Sequence, residues 1–289
     1  QKQSAAVFIG NAGGVTIRNS VFFNLPRAAI NVNDGAMGGH LFTRVVLFNT
    51  VRETGDHGPV NTWNRMPQLA VPFGSNAAPT LFPSWSAITG NLVVGNYHSV
   101  WPLDHDDGSA YWNDTSNVLV YGGYKNFLGH SKRAAGNVYI YPDAQRQPPP
   151  PRAFRGQHRV GTAVAAAADD NDGGVRGFFT MPYCLNSDGQ KLNVSGWGEA
   201  WEDNVCFIHS ANVYELGNCD PSSISQMVPA TRGNQFFTDG GDISFKCGLN
   251  TYTLQEWQGI GMDAGSSVQP TPSIAFVDAS ARKLLGLPV

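Results

Sequence analysis

NVLVYGGYKNFLGHSKRAAGNVYIYP, residues 117–142, repeats one short phrase: NVLVYG (117–122) returns 20 residues later as NVYIYP (137–142). Each phrase opens on Asn, runs through β-branched and aromatic residues, and closes in turn formers, which is the composition of a short strand. The pattern recurs as NSVFFN (19–24), RVVLFN (44–49), NLVVGN (91–96), NVCFIH (204–209) and NQFFTD (234–239). Its first residues are spaced by 25, 47, 26, 20, 67 and 30. Most of these spacings are near one or two multiples of a 20–26-residue period, with additions in the longer ones, and such a period signals stacked repeats. The connections leave no room for crossover helices. The expected fold is therefore all-β: a single-stranded right-handed parallel β-helix, one coil per repeat, with strands about 4.8 Å apart.

Asparagine fits such corners because it tolerates a left-handed backbone, and stacked Asn side chains can bond to one another along the axis. An antiparallel sandwich also explains evenly spaced strands but gives no reason for Asn at equivalent corners. Two stretches break the period. Residues 64–86 are rich in Pro and turn formers, and residues 143–182 include QPPPP and AVAAAADDNDGG; both read as loop excursions from a coil within one domain, 1–289. Thr253 and Glu256 form a capping-box pattern that predicts a short helix, and SARKLLGL predicts another.

Only 14% of the 289 residues are charged and the net charge is -3, which gives no reason to expect nucleic acid as a partner. No apolar run is long enough to span a membrane. The chain begins with Gln, which reads as a processed form or a fragment missing its N-terminus. An uncapped solenoid end exposes strand edges, so end-to-end or homo-oligomeric packing is compatible with it. Cys184, Cys206, Cys219 and Cys247 form no CxxC pair; they suit two disulfides, with three pairings open. Sequons at Asn113 and Asn193, taken with the cysteines, point to a secreted, extracellular glycoprotein.

In a parallel solenoid, residues at equal phase become vertical neighbours. Counted from the end of each repeat, Asn31–Asp34, Asp56–His57, Asp104–Asp107 and His130–Lys132 fall at one phase. The acidic run WPLDHDDGSAYWND (101–114) then joins a stripe in which His57, Lys125, His130 and Lys132 relieve the carboxylates from adjacent coils. With Trp63, Trp101, Tyr111, Trp112 and Tyr124 nearby, the stripe reads as a polysaccharide or oligosaccharide groove. If residues 64–86 form an outward loop, Asp56 and Asp106 lie about 5 Å apart, the spacing of a retaining glycosidase pair; otherwise about 10 Å separates them, near the inverting range. No metal site is expected and no cofactor is required, although calcium is compatible with the converging aspartate oxygens.

TGDHGPVNTWNR (54–65), LDHDDGSAYWN (103–113) and GGYKNFLGHSK (122–132) resemble the right-handed parallel β-helix proteins of the pectate-lyase-like superfamily, in the subgroup allied to β-helix xylosidases and related glycoside hydrolases. The resemblance covers about residues 14–142. It implies that Asp106 or Asp107, in the DDGS motif, is the nucleophile. It also implies a glutamate acid about one coil later. Lys125 matches the lysine of that stretch, but the glutamate position holds Leu128.

The expected function is a glycoside hydrolase using Asp106 or Asp107 with Asp56 or His57, and binding sugar through Asp104, His105, Lys125, His130, Asn61, Trp63, Arg65 and Tyr111. The alternative, which Leu128 favours, is a non-catalytic structural or carbohydrate-binding β-helix protein. A polysaccharide lyase with Lys125 or His57 as base is a distant third.

Overall fold

The computed structural model describes residues 4–34, 37–54, 57–64, 84–99, 101–144, 183–188, 199–209, 211–217, 219–224 and 230–289. These residues are mostly β and fall into successive tiers. The first holds β1 (Ala5–Gly10) and β2 (Thr16–Phe23), the second β3 (Ala28–Asn33) and β4 (Leu41–Phe48). The third comprises β5 (Val60–Trp63), β6 (Ser86–Thr89) and β7 (Leu92–Val94); the fourth, β8 (Leu103–His105), β9 (Ala110–Thr115) and β10 (Val118–Val120). The fifth follows with β11 (Tyr124–Phe127), β12 (His130–Ala135) and β13 (Val138–Ile140), and the sixth with β14 (Leu185–Asp188), β15 (Ala200–Glu202) and β16 (Val205–Ile208). Above them lie β17 (Ala211–Gly217), β18 (Ala230–Arg232) and β19 (Gln235–Thr238), then β20 (Ile243–Cys247), β21 (Asn250–Tyr252) and β22 (Ser267–Pro270).

The first strands of the tiers make one sheet, ordered β1-β3-β5-β8-β11-β14-β17-β20-β21. A second sheet has two rows that meet at β4: β18-β15-β12-β9-β6-β4 and β4-β7-β10-β13-β16-β19-β22, with β2 beside β4. Every described strand pair is parallel except β20–β21, which excludes the antiparallel sandwich. Long parallel sheets stacked in this way are compatible with an all-β parallel solenoid. The strands β5 and β6 belong to one tier, so the segment between them connects two strands of that tier. Its residues 65–83, and 145–182 of the second excursion, lie outside the described residues.

The interior is a set of aligned columns. Ile30, Val60, Leu103, Tyr124, Leu185, Tyr214 and Phe245 follow one another in register and are all buried. Side chains alternate across each strand, so the residues on either side of this column face outward. On the second sheet an outer row, Val118, Val138, Phe207 and Phe237, is covered by helix α2 (Ile274–Leu285) through Val277. That covering accounts for the second apolar face of these strands, whereas Val21 and Phe23 of β2 are apolar on a face that stays exposed.

The repeat asparagines form the predicted ladder. Nδ2 of Asn91, Asn117, Asn137 and Asn204 donates to Oδ1 of the Asn one tier on, at 2.9, 3.0, 3.1 and 3.4 Å, ending at Asn234. Each of those Oδ1 atoms also accepts from the preceding ladder residue's backbone N–H. The left-handed backbone expected of repeat asparagines is found at Asn19, Asn24 and Asn49, but not at the ladder asparagines, where the residue before each adopts it instead, namely Gly90, Ser116, Gly136, Asp203 and Gly233. The Asn itself faces inward to satisfy the corner's polar groups.

Helix α1 (Leu254–Gly259) starts at the predicted Thr253–Glu256 capping box. Its Trp257 is fully buried, stacked on Phe245 at 5.8 Å, and closes the last tier. Cys184 bonds to Cys206 and Cys219 to Cys247, which resolves the three pairings left open. Among the described residues no helix is long and apolar enough to cross a membrane.

Candidate functional site

In β8, Leu103 and His105 face the core, so Asp104 between them faces outward. Asn31, Asn61, Asp104 and Lys125 stand in one register column on that outer side, each from a successive tier. All four are nonetheless buried. Asp106 follows as the next outward residue. Its backbone N–H donates to Thr62 O at 2.7 Å, while Asp107 O accepts from Asn64 N at 2.9 Å. The turn ends at Gly108 with φ +74°, where a Cβ would stand 2.1 Å from Asn64 O. Glycine at this corner is required both by the left-handed backbone and by the close tier below.

Lys125 reaches down from β11 to both carboxylates. Its Nζ is 3.1 Å from Asp104 Oδ1 and 2.9 Å from Asp106 Oδ1, and the same ammonium lies 4.4 Å from the centre of the Trp101 ring. Burial opposes the lysine's charge, but Asp104 and Asp106 outweigh it and hold the group above its ordinary value. Asp106 is likewise kept below the usual carboxylate range: burial pushes it up, and Lys125 with a backbone N–H more than compensates. His57 joins the cluster in the opposite state. Burial, then the Arg27 charge, lowers its pKa to about 3 against the pull of Asp106. It is a neutral imidazole at physiological pH.

The expected site residues thus divide. Asp104, Asp106, Lys125, His57 and Asn61 come together, with Trp63 half-buried in register with Asn33. Asp107 is half-exposed in the turn. Asp56, Arg65 and Asn193 lie outside the described residues. The phase placed His130 and Lys132 in the stripe; the structure moves both to β12, in register with Ala110 and Trp112. Counting from the repeat end drifts because corners differ in length. His130 packs edge-on against Tyr111 at 5.1 Å, and Tyr111 against the exposed Trp85. Asn113 is half-buried on the outer face of β9.

His105 is corrected from the groove to the interior. Its Nδ1 is 2.7 Å from Thr62 Oγ1 and its Nε2 is 2.8 Å from Asp114 Oδ2, all three groups being buried. Lys132 is also internal, 3.1 Å from Glu199 Oε1 and bonded to Ser109 O. Glu199, Asp114, Arg27 and Thr62 were missed by sequence reasoning. Asp114 was legible from the alternation of AYWNDT, which turns it inward beside Trp112; Glu199 lies 67 residues from its lysine and carries no local signal.

Chemically, Asp106 is the cluster's carboxylate that meets solvent, with 24% of its side chain exposed against 0% for Asp104. It can accept hydrogen bonds from hydroxyls or act as an anionic nucleophile. Of the two basic groups described beside it, His57 is the neutral imidazole at neutral pH and Lys125 is held as the ammonium. Among the described residues no group of three or more His, Cys, Asp or Glu is arranged to hold a metal ion. Comparison with known families, with curated proteins and with solved structures finds no match.

Proposed function

We propose that this chain is a secreted right-handed parallel β-helix protein, of the pectate-lyase-like kind, that binds a polysaccharide around Asp106. The observation that carries the reading is the Lys125 bridge between Asp104 and Asp106 beneath the Trp101 ring. It fixes a preorganised anionic acceptor beside an aromatic face, the combination that recognises sugar hydroxyls and the apolar side of a pyranose. Two disulfides are compatible with an extracellular setting. Binding without turnover is favoured over hydrolysis because a retaining mechanism needs a second carboxyl that is protonated at rest, and Leu128 occupies the position where the family places it.

Hydrolysis is the second reading, and one observation favours it. Two carboxylates within 3.1 Å of one Nζ are close enough for the roughly 5–5.5 Å spacing of a retaining pair, with Asp106 already ionised. Both readings are tested by a panel of plant, fungal and bacterial polysaccharides, measuring retention in affinity electrophoresis and release of reducing ends. The binding reading expects retention by one class, loss of retention in Asp106→Asn, and no release. Release that disappears in Asp106→Asn replaces it with hydrolysis; no retention on any member of the panel removes both.

A further inference from the structure

The interior of the fifth and sixth tiers holds a group of reactive side chains that the outer site does not use. Lys132 on β12, Glu199 just before β15 and Asn126 on β11 are all buried. Glu199 stands between the other two: Oε1 is 3.1 Å from Lys132 Nζ, and Oε2 accepts from Asn126 Nδ2 at 2.8 Å. We propose that Lys132 and Asn126 form an intramolecular isopeptide bond, with Glu199 as the proton-transferring acid–base.

The chemistry needs an uncharged amine, a carboxamide and a proton carrier shielded from water, and the three residues meet each need. Burial lowers the lysine and raises the glutamate, so the pair is driven towards neutral amine and protonated acid. In that state the two amine hydrogens serve the carbonyls of Ser109 and Leu128, both already bonded to Nζ, and the lone pair remains on the Glu199 side. Asn126 Oδ1 is buried with no hydrogen-bond partner among the described residues. Turning the amide over presents that oxygen to the protonated Glu199, which would polarise the carbonyl.

The step balances without any other reagent. The Nζ lone pair attacks Asn126 Cγ, forming a C–N bond, while Glu199 protonates Oδ1. Glu199 then takes a proton from Nζ and delivers it to Nδ2. The Cγ–Nδ2 bond breaks and ammonia leaves as the carbonyl re-forms and the Oδ1 proton returns to Glu199, so the products are one amide cross-link and an unchanged, protonated Glu199. The link ties the first sheet to the second within one tier, across the corner at Leu128 and Gly129.

The test is tryptic peptide mass spectrometry of the whole folded chain. The proposal expects peptide 126–133, uncut after Lys132 and one ammonia lighter than its sequence. In Glu199→Gln, cleavage after Lys132 returns at the full mass. Should that variant fail to fold, Asn126→Asp serves instead: it would lose water in place of ammonia and yield the same product mass as the wild type. Wild-type peptide 126–132 released at full mass overturns the proposal. So does a lightened peptide still cleaved after Lys132, which would mark a cyclised Asn126, or a cross-link that persists in Glu199→Gln.

Discussion

Lys125 Nζ and Asp106 Oδ1 lie 2.9 Å apart although their residues come from different tiers, and the same ammonium holds Asp104 at 3.1 Å. Removing the lysine takes away the ammonium that the two carboxylates share. Lys125→Met is expected to lower unfolding free energy by about 3–5 kcal/mol near neutral pH, the range for a buried charge stripped of its partner. The pH dependence gives the sign. Asp106 titrates below its ordinary 3.8 in the folded state, so its contribution is present above that value and is lost as pH falls through the lower folded value. Lys125 titrates above 10.5, so its contribution is present below 10.5 and is lost as pH rises through the higher folded value. Denaturant titrations from acid to alkaline pH should show both losses smaller in Lys125→Met than in the wild type, with the acid loss contributed by His57, His40 and Glu202 remaining.

His57 adds a loss of the same sign as that of Asp106, at higher pH. The unfolded imidazole binds its proton near 6.5, the folded one only near 3. Between those values the unfolded state holds more protons, so stability falls as pH drops from 6.5 towards 3, by about 1.4 kcal/mol per pH unit for one such group. His40, lowered to about 4 by burial, acts in the same direction. His57→Gln should remove one group's share of this slope and leave His40's in place. Imidazole NMR resonances of His57 that titrate between pH 5 and 8 would remove the assignment.

The ladder and the site were legible in the sequence to different depths. Period and Asn phase sufficed to place Asn117 over Asn137, because the corner chemistry repeats in each tier. The column Asn61–Asp104–Lys125 was only half-read. The strands of the first sheet are separated from the Asn corners by connections of unequal length, so a fixed count put His130 where Lys125 belongs. Alternation within LDH was the missed signal: with Leu103 inside, His105 must be inside too, and Asp104 outside. Glu199 was beyond reach, since its partner is set by tier stacking across 67 residues and by no local pattern.

Gly108 closes the turn that aims Asp106. Its φ of +74° and the 2.1 Å approach of a built Cβ to Asn64 O leave no room for a side chain without moving backbone. Gly108→Ala should therefore cost more than the roughly 1–2 kcal/mol of an ordinary left-handed Gly→Ala change, because a backbone clash adds to the strain. A melting temperature within a degree of the wild type would contradict the tight tier contact. If the substituted protein folds, the polysaccharide binding proposed above should weaken with Asp106 displaced, while the Asn ladder, on another corner, stays intact.

Asn137 is the middle rung of that ladder and its most direct test. Its Nδ2 donates to Asp114 O at 2.9 Å and to Asn204 Oδ1 at 3.1 Å, and its Oδ1 accepts from both the backbone N–H and the Nδ2 of Asn117. Asn137→Ala strands these partners in an interior where Asn117, Asn137 and Asn204 are fully buried. Each orphaned group costs on the order of 1–3 kcal/mol, so a loss of about 3 kcal/mol or more is expected. Asn24→Gly is the matched control, since Asn24 stands at φ +55°, a left-handed backbone that glycine keeps without strain. Asn24 also bonds the Asn one tier on, Asn49, at 3.3 Å, but at an exposed site where water replaces the lost group, so its effect should stay within about 0.5 kcal/mol. Equal losses at the two positions in denaturant unfolding would mean that the interior ladder is no stronger than a surface contact, and that the tiers are held in register by apolar packing alone.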